Sequence, residues 1–349
     1  MSGMYEKLET PAAGLRLHLN ENTGGCSPAV LEALRTITPE AAALYPDYTA
    51  PTAAAAEQLG LPASHVLLVN GLDEGIFAAA LTTLRGGAQN DPFEAIVIVP
   101  GFDMFAGSSR RVGGRVVSVP LGPDFIFSFD AVRAAVSERT RIIFITNPHN
   151  PTGLTVAGDR VLALARETPG ALILVDEAYI DFGGESLANQ ATLDAHPNLV
   201  VGRTFSKAYG LAALRLGALL ATPATLATLR DSVPPYSINI AAAVALSAAC
   251  RDTAHYEWYL AEVRASKQLL YDALDRLGIQ YWRSAANFVF ARFPGRASAV
   301  ADGLRGRGIY VRDRSADPAC AGCLRITTGV VAHTQACITA IEEVLCDAR

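Results

Sequence analysis

The sequence predicts an α/β fold: a doubly wound, mostly parallel sheet accompanied by a second, smaller α/β unit. Three observations predict it. Between residues 65 and 221, short β-rich apolar runs alternate with helical stretches, the pattern of a parallel sheet covered on both faces by helices. After about residue 237 the alternation gives way to a long helical segment and then a shorter series of strands and helices. At 349 residues, half of them hydrophobic and 18% charged, the chain is long enough for two domains and apolar enough for a large core.

The elements follow in order. Residues 1–25 read as an extended arm, in which Leu15-Arg16-Leu17-His18-Leu19-Asn20-Glu21-Asn22 alternates like a strand and ends in turn formers. Ser27-Pro28 supplies an N-cap and a first-turn proline for a helix over 29–35. Residues 44–48 form a loop, and Thr49 or Thr52 caps a helix through Leu59 that Gly60 stops. Strands are expected at 65–69, 95–99, 115–119, 141–146, 171–175, 198–201 and 216–221, with helices at 71–85, 104–111, 129–138 and 156–167. Residues 240–277 read as one largely helical segment. A strand (287–292), a helix (297–307), two strands (308–312 and 323–328) and a closing helix (334–346) complete the smaller unit.

Composition narrows the function. A net charge of −5 without a long basic run argues against a nucleic-acid or anionic-membrane partner. Met1-Ser2-Gly3-Met4-Tyr5-Glu6-Lys7 contains no apolar leader, and no apolar run reaches the roughly 18–20 residues that span a bilayer, so a cytoplasmic location is expected. Cys26, Cys250, Cys337 and Cys346 read as scattered small residues, most in apolar surroundings. Cys320-Ala-Gly-Cys323 has the spacing of half a zinc site, but no second ligand pair accompanies it, and no metal is expected.

Ligands on doubly wound sheets sit beyond the carboxyl ends of the strands, and the informative residues are there. After strand 198–201 comes Gly202-Arg203-Thr204-Phe205-Ser206-Lys207-Ala208-Tyr209-Gly210, with Arg215 eight residues past the lysine. A lysine in a partly apolar site loses its proton and attacks carbonyls, and a hydroxyl, a guanidinium and backbone N–H groups beside it suit a phosphate. After strand 171–175 comes Asp176-Glu177-Ala178-Tyr179. A buried Asp176 needs a partner, either a helix end, a structural cation or a protonated pyridine nitrogen; Tyr179 is either a core tyrosine or a donor to a ring oxygen. Asn150, in Asn147-Pro148-His149-Asn150-Pro151-Thr152-Gly153, sits in a stiff loop as a turn residue or a neutral ligand contact. Leu72 and Asp73, in Asn70-Gly71-Leu72-Asp73-Glu74-Gly75, open a helix whose free N–H groups are able to hold a phosphate. Arg325 lies inside an apolar strand and requires a carboxylate, internal or from a substrate. Arg312 either pairs with Asp313 or binds a second anionic group. No GxGxxG or GxxxxGK[ST] run is present, which disfavours a nucleotide fold.

Together these stretches resemble the fold-type I pyridoxal phosphate (PLP)-dependent aminotransferases, of aspartate-aminotransferase-like fold, and more narrowly the histidinol-phosphate aminotransferases. The resemblance runs from Leu19-Asn20-Glu21-Asn22 to Gly322-Cys323-Leu324-Arg325-Ile326-Thr327 and includes Tyr45-Pro46-Asp47 and Leu214-Arg215-Leu216-Gly217. It implies an arm and part of the small domain over 1–40, a large PLP-binding domain over 41–240, and a linking helix with the small domain over 241–349. It also implies residue roles. Lys207 would form a Schiff base with the cofactor, Asp176 would pair with its ring nitrogen, and Tyr179 and Asn150 would contact its phenolic oxygen. Ser206, Arg215 and the amides of Leu72 and Asp73 would hold its phosphate, and Phe102 would stack on its ring. Tyr45 would reach the cofactor of a second subunit, implying a homodimer. Arg325 would clamp a substrate carboxylate, Arg312 a substrate phosphate, and Asn22 would lie at the substrate.

Three positions depart from the family pattern. Phe102 stands where tyrosine is usual, Leu72 replaces a small residue, and Asn22-Thr23-Gly24-Gly25 replaces Asn-Pro-Tyr-Gly. The implied reaction is a two-stage exchange of an amino group between an amino donor and a 2-oxo acid, with histidinol phosphate and glutamate first. An aromatic amino acid aminotransferase and a PLP-dependent decarboxylase of an O-phospho amino acid are the alternatives.

Overall fold

The computed structural model describes residue 11 and residues 13–347; the start of the predicted arm, 1–10 with residue 12, lies outside the described residues. The chain opens with strand β1 (Leu15–Leu17) and helices α1 (Pro28–Arg35), α2 (Pro39–Ala43) and α3 (Thr49–Leu59). The alternating region runs β2 (Val66–Asn70), α4 (Gly71–Leu84), β3 (Glu94–Val99), α5 (Asp103–Arg111), β4 (Arg115–Pro120), α6 (Phe129–Ala135) and β5 (Thr140–Thr146). It continues with α7 (Gly158–Glu167), β6 (Leu172–Asp176), α8 (Gln190–Ala195), β7 (Leu199–Thr204), β8 (Leu216–Leu220) and α9 (Pro223–Arg230). The last part comprises α10 (Ile240–Arg251), α11 (Thr253–Arg276), β9 (Gln280–Trp282), β10 (Phe288–Arg292), α12 (Ala297–Gly306), β11 (Ile309–Asp313), β12 (Cys323–Thr327) and α13 (Val331–Asp347).

Every predicted strand forms, and the differences have local causes. Neither Thr49 nor Thr52 caps α3; the Asp47 carboxylate accepts from the Thr49 N–H (3.0 Å) and hydroxyl (2.8 Å). The long segment is two helices, broken at Asp252, whose side chain accepts from the His255 N–H and starts α11. Helices α2 and α9 were not expected, yet both carry the cap-plus-proline signature that marks α1: Thr38 and Thr222 accept from backbone N–H groups three residues on.

The larger sheet has seven strands in the order β2-β8-β7-β6-β5-β3-β4. β8 runs antiparallel to both its neighbours, and all the others are mutually parallel. Both faces are covered, which is why the strands read as continuous apolar runs. On β5, Ile143 and Ile145 face one core with Val175 and Val201, while Ile142 and Phe144 face another with Leu174 and Val200. α10 packs on the first core through Ala242, Ala245 and Leu246. The smaller sheet has five strands, β1-β11-β12-β10-β9. β1 joins it in parallel to β11, so the N-terminal segment completes a sheet made otherwise from the last quarter of the chain. Its apolar face (Leu17, Val289, Leu324, Ile326) packs with α11, α12 and α13 residues such as Leu270, Leu304 and Ile338.

This topology brings the carboxyl ends of β2, β7, β6 and β5 to one edge, where the loops holding Leu72, Lys207, Asp176 and Asn150 emerge. The polar face of the smaller sheet closes over that edge.

The sheet depends on its aromatic filling. Phe144 is 1% exposed and stacks on Phe105 at 4.7 Å. Phe144→Ala is expected to cost about 3–5 kcal/mol, read as a lower denaturant midpoint at unchanged slope.

Candidate active site

A cavity of about 490 Å³ opens between the two sheets, lined by Leu72, Asp73, Phe102, Asn150, Asp176, Tyr179, Ser206, Lys207, Arg215, Arg312 and Arg325. Eleven scattered candidates thus meet in one place. Tyr45 and Asn22 do not line it. Tyr45 is 78% exposed and stacks on Tyr236 at 4.3 Å, elsewhere on the surface. Asn22 is a bracing residue: its Nδ2 donates to the Ala208 carbonyl (3.0 Å) and its Oδ1 accepts from the Gly24 N–H (2.8 Å).

Lys207 follows β7, and its Nζ donates to the Leu19 carbonyl at 2.9 Å. Burial, followed by the charge of Arg325, lowers its pKa to about 8. Asp176 ends β6, and its Oδ1 accepts from the Ala178 N–H at 2.9 Å. Burial raises its pKa to about 7; the one backbone donor offsets only part of the desolvation. The site therefore holds a carboxyl short of a cation and an amine close to losing its proton.

Around this pair the polar groups are ordered. Tyr179 is buried, its ring edge-on to Phe288 (5.1 Å) and its hydroxyl accepting from Asn20 Nδ2 (3.0 Å). Arg325 donates to Asn150 Oδ1 and to the His18 carbonyl, both at 2.6 Å, so strand β12 reaches the Asn150 loop directly. Phe102 lines the cavity and meets Phe105 edge-on at 5.6 Å.

At the β2–α4 turn, Arg215 donates to Asp73 at 3.0 Å and crosses Gly71. A Cβ at Gly71, whose φ is +72°, would collide with that guanidinium. A Cβ at Gly217 would come within 2.6 Å of the Leu72 nitrogen. The glycines thus keep backbone N–H groups, the Ser206 hydroxyl and a guanidinium together at the start of a 14-residue helix, an arrangement that binds phosphate. With the cation-starved Asp176 and the low-pKa Lys207, the donor set fits a cofactor that offers a phosphate, a carbonyl and a ring nitrogen.

Two of the departures from the family pattern are accommodated by local packing. The Leu72 side chain packs over Gly202, where a Cβ would meet it at 2.7 Å, so the larger residue is absorbed by a glycine on β7. Thr23 accepts from the Val330 N–H (2.9 Å), and Gly24 lies under the Trp258 ring.

Arg312 is not paired with Asp313. Neighbours on a strand face opposite ways; Asp313 accepts from Ser298 Oγ (2.7 Å) and the Ser315 N–H (2.8 Å), and among the described residues Arg312 enters no ion pair. Instead Arg312 lies directly opposite Arg325 across β11 and β12. Arg16, paired in register with Tyr310, shares that face. Arg16, Glu21, Asn20 and Arg314 also line the cavity and were missed, although the alternation that marked the strands puts Arg16 in step with His18, and Arg312 with Arg314. Arg16 is held by Glu21 at 2.9 Å, and Arg314 by Asp317. Cys320 and Cys323 lie outside the cavity, packed with Phe125, Trp282 and Phe290.

Fold and site define a class: a two-sheet α/β protein in which a lysine of lowered pKa, a buried carboxyl of raised pKa and the start of a 14-residue helix meet in one cavity. The chain matches the model of aminotransferase class I and II over residues 13–341, and it belongs to that PLP-dependent aminotransferase family. It is 35% identical over 340 residues to the histidinol-phosphate aminotransferase of Oleidesulfovibrio alaskensis, covering 95% of this chain and 87% of the relative. The crystal structure of the Sinorhizobium meliloti histidinol-phosphate aminotransferase, in complex with pyridoxal-5′-phosphate, superposes with a TM-score of 0.86 at 27% identity, over 96% of this chain and 92% of that one. A Thermus thermophilus aspartate aminotransferase variant shares the fold, with a TM-score of 0.78 at 20% identity over 95% and 96% of the two chains.

The displaced carboxyl has a thermodynamic signature. Between the ordinary carboxylate pKa and about 7, folded Asp176 keeps a proton that the unfolded chain releases, so stability falls as pH rises through that window. In cofactor-free protein, Asp176→Asn is expected to be more stable than wild type at pH 8, by on the order of 1–4 kcal/mol. The gap closes near pH 4. A wild-type–variant difference independent of pH contradicts the displacement.

Proposed function

We propose that this chain exchanges an amino group between an amino-alcohol phosphate, histidinol phosphate first, and 2-oxoglutarate. The observation that carries the reading is the cationic face of the smaller sheet. Two guanidiniums directly opposite each other, Arg312 and Arg325, repel unless anions lie between or beside them. Glu21 already holds Arg16 and Asp317 holds Arg314, which leaves Arg312 for an anion that the substrate brings. One guanidinium suits a carboxylate and the second a phosphate. The names of the relatives support the same choice.

When bound, PLP supplies an electrophilic carbonyl and a cationic ring that takes up electron density. Lys207 provides the amine that holds the cofactor and, once released, moves the substrate's α-proton. Asp176 holds the proton on the ring nitrogen. Tyr179 and Asn150 serve the phenolic oxygen, Phe102 offers a stacking face, and Ser206, Arg215 and the N–H groups of Leu72 and Asp73 hold the phosphate. Arg325 takes the carboxylate of glutamate or 2-oxoglutarate. Because Tyr45 and Tyr236 are both exposed and stacked away from the cavity, Tyr45 is offered to a second copy in a homodimer.

With PLP-loaded protein, transamination of histidinol phosphate by 2-oxoglutarate is expected. Arg312→Gln is expected to raise the KM for histidinol phosphate roughly 10–100-fold, the worth of a charged hydrogen bond, and to leave that for 2-oxoglutarate within about twofold. Turnover of phenylalanine or tyrosine but not histidinol phosphate would instead assign an aromatic aminotransferase. Carbon dioxide release without consumption of a 2-oxo acid would assign a decarboxylase.

A further inference from the structure

Asn20 has all of its polar groups engaged. It is 1% exposed and sits just beyond β1 with a left-handed backbone (φ +55°), a conformation asparagine tolerates better than most residues. Its backbone N–H donates to Thr327 Oγ1 (3.1 Å), and its carbonyl accepts from Asn287 Nδ2 (3.1 Å). Thr327 Oγ1 donates in turn to Asn20 Oδ1 (3.0 Å). The threonine hydroxyl has one proton, and that proton fixes the orientation of the amide. Nδ2 is thereby turned toward the Tyr179 hydroxyl, 3.0 Å away.

We propose that Asn20 is a positioning residue for Tyr179: by donating to the phenol oxygen, it directs the Tyr179 O–H toward the phenolic oxygen of the cofactor and strengthens it as a donor. A hydroxyl that accepts one hydrogen bond donates a stronger one. The ring of Tyr179 is fixed independently by its edge-on contact with Phe288, so Asn20 governs the direction of the hydroxyl and not the place of the ring. The donor comes from the segment that joins β1 to the rest of the chain, with Thr327 and Asn287 at the ends of β12 and β10 behind it. The smaller sheet therefore tunes a residue anchored in the larger one. The proposal rests on the role of Tyr179 given above.

The test is the pH midpoint of the visible absorption band of PLP-loaded protein, measured for wild type, Asn20→Gly, Tyr179→Phe and the double variant. Glycine keeps the left-handed backbone and adds no charge. Tyr179→Phe is expected to raise the midpoint, because a donor to the cofactor's oxyanion is lost. Asn20→Gly is expected to raise it by roughly half a unit to one unit, the worth of one hydrogen bond, and to add nothing in the Tyr179→Phe background. An equal shift from Asn20→Gly in both backgrounds, or none in either, overturns the proposal. An unchanged midpoint in Tyr179→Phe overturns the reading of Tyr179, and the proposal with it. Should Asn20→Gly fail to fold, Thr327→Val frees the amide to turn while retaining the side chain of Asn20, whose backbone carbonyl is still held by Asn287. It is expected to shift the midpoint upward by less, again only when Tyr179 is present; no shift overturns the proposal.

Discussion

A buried carboxyl at the end of one parallel strand and a half-buried amine in the loop just past the next, neither bonded to the other, set the terms for the rest of this chain. Burial is the first cause of both displacements, raising Asp176 and lowering Lys207. Groups held this way destabilise the protein that carries them, so the surrounding structure has to hold them by other means. Here the holding is done by the sheet: β6 and β7 are adjacent and buried on both faces, β6 ends at Asp176 itself, and β7 ends at Thr204, shortly before Lys207. Lys267 makes the contrast. Its pKa is also lowered to about 8 by burial and its Nζ, like that of Lys207, donates to a backbone carbonyl (Ser284, 2.9 Å), but it lines no part of the cavity. A shifted pKa becomes functional only where a ligand can reach it.

The second constraint is the hold between the two sheets. Three groups on the large-sheet edge are each bonded to the segment around β1 or to β12: Lys207 to the Leu19 carbonyl, Tyr179 to Asn20, and Asn150 to Arg325. These bonds satisfy polar groups that would otherwise be buried without partners. All three involve groups that the proposed function assigns to cofactor or substrate, and at Lys207 and Arg325 the donor groups themselves are already engaged. Binding therefore exchanges one set of partners for another, and the smaller sheet is coupled to the contents of the cavity through named hydrogen bonds.

The parts legible in the sequence were those governed by local rules. Apolar runs separated by helices gave the parallel sheet, and Ser27-Pro28 gave the start of α1. The residues after each strand gave most of the cavity, because a parallel sheet delivers its strand ends to one edge. What was not legible depended on register between distant segments. No local rule says that β1 pairs with β11, so Arg16 and Asn20 could not be placed at the cavity. The pairing of Arg312 with Asp313 failed on a simple ground: strand neighbours point apart. The burial of the Leu72 side chain against Gly202 likewise required knowing that α4 crosses β7.

The central claim is that Lys207, of the three lysines in this sequence, is the one that holds the cofactor. Borohydride reduction of PLP-loaded protein, followed by proteolysis and mass spectrometry, reads that attachment directly. The phosphopyridoxyl group is predicted on Lys207, at close to one per chain and absent from Lys207→Ala. Stoichiometric label on Lys267 or Lys7, or no stable label at all, would contradict the site described here.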